Sequence, residues 1–270
     1  MNPNSSLVPT IQLSMVDLSV SGVLILAAGL ISILLHLKME KKLFLASART
    51  VIQLLLLGYI LRYVFRIDNP FVLGIVLVFM TSAAAYTAVA NINRTVKGIF
   101  WLALVTLALT GFSTTFVVTQ LVINVEPWYQ PRYVIPLAGM VFGNALTGIS
   151  LSLDQFLEEL SIGRERVEME LSLGATRWEA ASFPIRSSLK RGMIPIINTM
   201  MAAGLVSLPG MMTGQILAGA DPLEAVKYQI VVMFMITAAT VLGCMLSVLL
   251  VYRRLFNDRH QLRIERIWKR

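Results

Sequence analysis

The chain has 270 residues, 56% of them hydrophobic and only 14% charged, with a mean hydropathy of +0.73. A soluble domain carries about 25% charged residues to cover its surface, so a water-soluble enzyme or binding module is excluded. The net charge of +8 and pI of 9.9 do not argue for nucleic-acid binding, because the basic residues flank apolar blocks and no recognised binding module accompanies them.

Seven apolar blocks follow one another, at about Leu18–Leu37, Ala48–Phe65, Phe71–Ala90, Ile99–Ile123, Val134–Leu153, Ile194–Leu217 and Tyr228–Tyr252. Most reach the ~20 residues that cross ~30 Å of hydrocarbon as a helix. Continuous apolar runs, rather than short alternating ones, argue against a β-barrel. Every backbone polar group in lipid must be satisfied within its own segment, so the blocks read as helices. The expected fold is an all-α membrane protein of about seven transmembrane helices, forming a single domain over residues 1–270.

The first block is expected to be a span and not a signal peptide, because residues 1–16 contain no Lys or Arg and the apolar run is too long for an h-region. In the second block, Arg49 near the start can snorkel to the interface, while Gln53 is an amide among apolar residues. Beyond the third and fourth blocks, the fifth carries Asn144 and the glycine pair Gly139 and Gly143. Such G-x-x-x-G spacing permits close helix approach.

Residues 154–192 form the only loop long enough for structure of its own. Apolar residues at 157, 160 and 167 with acids between them predict an amphipathic helix continuing out of the fifth span to Leu171. Gly174 is a helix breaker suited to a C-cap. Thr176, with Glu179 three residues on, reads as the capping box of a second helix, expected to be short and to end near Pro184. A helix, a glycine turn and a capped helix make a knob that a separate motor can grip. Glu170, Gly174, Ala175, Thr176, Glu179 and Phe183 are the candidate coupling residues.

The sixth block contains Pro209-Gly210. Proline removes a helical N–H and clashes with the carbonyl four residues back, so a break is predicted near Pro209. Its freed backbone groups must face protein or a water-filled cavity, as in the discontinuous helices of transporters. Gln53, Asn144, Asn198, Met211, Met212 and Gln215 are the candidates for lining a path, with interhelical packing as the plainer role of each. The seventh block holds the single Cys244, which packs as a small hydrophobe.

All of the 23 Lys and Arg except Arg62, Arg66, Arg132 and Lys227 fall on one side of the seven-span arrangement. The positive-inside rule then puts the N-terminus outside and the C-terminus in the cytoplasm. There is no G-x-x-x-x-G-K-[ST] loop and no H-E-x-x-H, so no catalysis and no cofactor are expected on this chain.

Four stretches carry a family resemblance. They are Arg49-Thr-Val-Ile-Gln-Leu-Leu-Leu-Leu-Gly-Tyr-Ile-Leu, Gly143-Asn-Ala-Leu-Thr-Gly-Ile-Ser-Leu, Glu170 to Thr176, and Ser207-Leu-Pro-Gly-Met-Met-Thr-Gly-Gln-Ile-Leu-Ala-Gly. Glu170-x-x-x-Gly174-Ala175-Thr176 with Pro195 downstream resembles the coupling loop of ABC permeases, although Leu171-Ser172 stand where two alanines are usual. The whole set resembles the FetB (YbbM-type) permeases, bacterial iron exporters with plant relatives linked to aluminium tolerance. The resemblance implies a half-transporter that pairs as a homodimer in the inner membrane. It further implies a cytoplasmic ABC ATPase partner that holds the ATP, and a metal ion as the exported substrate. Two rival classes share parts of the pattern: a seven-helix receptor or sensor, which needs no coupling loop, and an ABC permease for another small solute. A secondary transporter would be expected to show internal repeats and a central intramembrane acid, and neither is evident.

Overall fold

A computed structural model describes residues 14–67, 69–257 and 259–269. Residues 1–13, which carry most of the uncharged N-terminal segment, lie outside the described residues. The chain divides into two compact units.

The first unit is built from α1 (Met15–Leu34) and α2 (Glu40–Val64), with residues 217–220 grouped with it. Ser14 and Asp17 form a capping box at the start of α1. The turn between the helices is closed by Ser32, whose hydroxyl accepts from the Met39 N–H and donates to Glu40. α2 begins eight residues before the apolar block, so Arg49 lies in its third turn and not at its start.

The second unit contains α3 (Pro70–Ala90), strand β1 (Arg94–Val96), α4 (Ile99–Val117), α5 (Pro131–Ile162), α6 (Arg164–Ser172), α7 (Arg177–Ala202), α8 (Gly210–Leu217), α9 (Pro222–Leu255) and strand β2 (Ile267–Lys269). α4 continues as one π-helical turn over Val118–Val122. α5 is central and packs on α3, α4, α7 and α9. Its 32 residues span ~48 Å, well beyond the ~30 Å of hydrocarbon. Phe156, Leu157 and Leu160 on its far end are fully buried. There the alternative is water, and burying each is worth ~1.5–3 kcal/mol.

Glycines allow the central crossing, though not the ones the G-x-x-x-G spacing singles out. A Cβ at Gly148 on α5 would meet Thr240 and Cys244 of α9 at 2.6 and 2.9 Å, and one at Gly192 on α7 would lie 2.6 Å from the Gly148 carbonyl. A Cβ at Gly139 would meet only the flexible end of Met80, at 3.3 Å, and Gly143 has nothing within 4 Å of such an atom.

Among the described residues, five helices are long and apolar enough to cross a membrane: Glu40–Val64, Pro70–Ala90, Ile99–Val122, Pro131–Ile162 and Pro222–Leu255. The protein is therefore a multi-pass, all-α membrane protein apart from the three-residue pairing of β1 with β2, antiparallel with Thr95 opposite Trp268. The expected seven spans are not all continuous helices. The sixth block is divided between the end of α7 and α8.

Two further expectations are corrected. The helix leaving the fifth span does not run on to Leu171 but stops at Gly163, and α6 starts afresh at Arg164. The helix after Gly174 does not end near Pro184. α7 runs for 26 residues through both Pro184 and Pro195. Proline costs a helix ~3 kcal/mol in isolation, but Ala180, Ala181, Pro184, Ile185 and Ser188 are all buried and α7 packs along α5. That packing keeps the helix continuous through the missing bond.

Candidate functional site: the glycine turn, helix α7 and the break

The turn between α6 and α7 is built from local sequence alone. Leu173 ends α6, and Gly174 follows at φ +92°, a left-handed conformation that only glycine adopts freely. The Gly174 N–H donates to the Leu171 carbonyl and the Ala175 N–H to the Glu170 carbonyl, both at 3.1 Å. This pair of bonds is the Schellman motif, which satisfies carbonyls left over at a helix end. Thr176 then caps α7. Its hydroxyl accepts from the Glu179 N–H at 3.3 Å, while the Glu179 carboxylate accepts from the Thr176 N–H at 2.7 Å and its hydroxyl at 2.8 Å. These two bonds from Thr176 hold the Glu179 carboxyl below the usual glutamate range, the backbone one contributing most.

Around the turn, Arg166 pairs with Glu170 at 3.1 Å and stacks 4.5 Å above the Phe183 ring. Leu173 is 80% exposed, and nothing lies within 4 Å of a Cβ placed on Gly174. The turn is thus capped on both sides and open in front. All six candidate coupling residues converge on it. Behind the turn, α6 is anchored by buried Val167, and Ser187 of α7 donates to Glu159 of α5.

α7 leads from this turn directly to the break. It stops at Ala202, well before Pro209, because Gly204 turns left-handed at φ +83°. The Ala202 carbonyl accepts from the Val206 and Ser207 N–H groups at 2.9 and 3.1 Å, and the Gly204 N–H donates to the Ser207 carbonyl. These bonds satisfy part of the freed backbone within the loop. Pro209 begins the next helix instead of bending the last one, with its carbonyl accepting from Thr213. Between the break and α9 lies a cavity of about 460 Å³ lined by residues including Met200, Pro209, Met212, Gln229 and Met233.

Comparison with known proteins gives one family. The profile described as "Uncharacterised protein family (UPF0014)" matches residues 15–256. The chain belongs to the UPF0014 family. Among its relatives, a UPF0014 membrane protein of Synechocystis is 40% identical over 84% of this chain and 87% of its own. The Escherichia coli protein named "Probable iron export permease protein FetB" is 34% identical over 94% of this chain and 96% of its own. The Arabidopsis thaliana protein named "Protein ALUMINUM SENSITIVE 3" is 33% identical over 92% and 89%. No solved structure matches.

In this UPF0014 chain the candidate path residues do not form one cluster. Met212 and Pro209 line the cavity beside the break. Met211 packs instead into the core with Ile196 and Met235. Gln215 has a buried Oε1 without a hydrogen-bond partner. Asn144 satisfies its amide on its own helix, donating to the Met140 carbonyl at 2.8 Å, and Asn198 is exposed. Gln53 is also exposed, on α2 of the first unit. Sequence reasoning missed Gln229, which is 8% exposed with a buried and unpartnered Oε1. An amide two residues into the last apolar block was the available signal. Among the described residues, no three His, Cys, Asp or Glu side chains group as metal ligands would.

Proposed function

We propose that this chain is the membrane permease subunit of an ABC transporter that exports iron or a related metal ion from the cytoplasm. It works as a homodimer in the inner membrane with two copies of a separate ATPase subunit. The chain itself performs no catalysis, and the ATP sits on the partner. Counting α1 and the broken segment as crossings gives seven spans, with the N-terminus outside and the glycine turn on the cytoplasmic face.

One observation carries this reading. A single helix, α7, joins the exposed glycine turn to the break. Its 26 residues make a rod of ~39 Å. A motor that seats on the turn and moves as ATP binds would displace the far end of that rod, where the helix is interrupted beside a cavity. The FetB relative's printed name supports iron as the cargo. The thioethers of Met200, Met212 and Met233 near the break suit softer metals, so the assay must compare ions.

The test is to co-express the chain with its ATPase and measure iron, copper and manganese in loaded cells. A fall in one metal, abolished by disabling the ATPase, is expected, with Gly174→Trp removing both the fall and copurification of the ATPase. Normal association and transport in well-expressed Gly174→Trp protein would overturn the proposal.

A further inference from the structure

The segment after α9 is not a loose tail. Phe256 is buried, and its bridge to Leu262 folds the chain back on itself. Asn257 is the centre of that fold: its Oδ1 accepts from the Arg259 and Gln261 N–H groups, and its Nδ2 donates to the Gln261 side chain. His260 is held at φ +54°, an uncommon conformation for a residue with a side chain. Its Nδ1 accepts from the Arg177 backbone N–H at 2.9 Å. The Arg177 guanidinium donates in turn to the Asn257 carbonyl at 3.2 Å.

Arg177 is the first residue of α7. Its N–H is one of the donors that a helix cannot satisfy internally, and the tail supplies the acceptor. Beyond this point the same segment meets the α3–α4 linker. Ile267–Lys269 pairs with Arg94–Val96 between α3 and α4, where Val96 is buried. The Arg254 guanidinium donates to the Lys97 carbonyl, and Arg266 donates to the Arg254 carbonyl. That linker is itself fixed to α5, since the Asn93 N–H donates to Asp154 at 2.8 Å.

We infer that the C-terminal segment is a tie between the foot of α7 and the α3–α4 linker, with His260 as its positioning residue, so that movement of the glycine turn is shared with α3, α4 and α9 and not carried by α7 alone. The inference rests on the permease reading and adds a second route by which the turn drives the membrane helices. Without the tie, the ATPase still seats on the turn and hydrolyses ATP, but movement of the turn reaches α3 and α4 only through the packing of α7 on α5 and α9. Coupling, and not docking, is the quantity it governs.

The experiment uses inverted membrane vesicles containing the full chain and its ATPase. It measures accumulation per ATP hydrolysed of whichever ion, iron(II), copper(I) or manganese(II), falls in the cell experiment. His260→Leu is expected to lower that ratio about fivefold, the effect of losing one hydrogen bond to a backbone donor, with ATPase copurification unchanged. His260→Asn places an acceptor where Nδ1 stands and tolerates the left-handed backbone, so it should restore the ratio. If His260→Leu does not fold, Ile267→Pro, which breaks the strand pairing, must give the same loss. An unchanged ratio in a folded variant overturns the tie, as does a loss of ATPase association in step with transport. Failure of the wild-type chain to bind any ATPase overturns the permease reading as well, and is seen before any variant is compared.

Discussion

Gly174 offers the sharpest test, because two explanations for a glycine make opposite predictions there. Its φ of +92° puts a residue with a Cβ at a cost of ~1 kcal/mol. Nothing lies within 4 Å of where that Cβ would sit, so the cost is wholly conformational. Gly174→Ala should therefore shift local opening of the turn by about fivefold. Hydrogen exchange reads this directly at the Gly174 and Ala175 amides, whose bonds to the Leu171 and Glu170 carbonyls close the turn. Asparagine enters the left-handed region readily, so Gly174→Asn should stay within about twofold of wild type despite its larger side chain. Equal protection in the glycine and alanine proteins would refute the conformational argument. Asparagine exchanging faster than alanine would show that bulk matters within the chain itself.

Thr176→Ala should destabilise the start of α7 by ~1 kcal/mol, read by the same exchange experiment over residues 177–180. Because bonding to Thr176 lowers the Glu179 pKa, this cap contributes stability above the ordinary glutamate pKa and loses it as pH falls through the lower folded value. Protection of the α7 foot should drop only below the ordinary glutamate range, and a drop between pH 6 and 7 would contradict it. At the crossing of α5, α7 and α9, Gly192→Leu should cost at least ~1–3 kcal/mol from overpacking and lower the thermal unfolding temperature in detergent. Gly143→Leu should be tolerated, and similar losses for both would mean the α5–α7–α9 crossing is misplaced.

The membrane class and the turn were legible because their causes are local. Apolar runs such as Phe71–Ala90 report their own solvent, and Gly174, Thr176 and Glu179 set their hydrogen bonds within a few residues of one another. The break was also visible, but its position was not. Pro209 is a strong breaker in isolation, yet Gly204 ends α7 because a left-handed turn there closes the freed backbone bonds. Only the tertiary structure decided that α7 passes through Pro184, since the compensating contacts come from α5. It alone chose Gly148 and Gly192 over Gly139 and Gly143, because close approach is a property of two helices and not of a spacing on one. It also brought His260 to Arg177 and Trp268 opposite Thr95. Contacts so distant along the chain leave no periodic trace in either partner, because each residue's side chain meets an environment that exists only once the helices between them have packed.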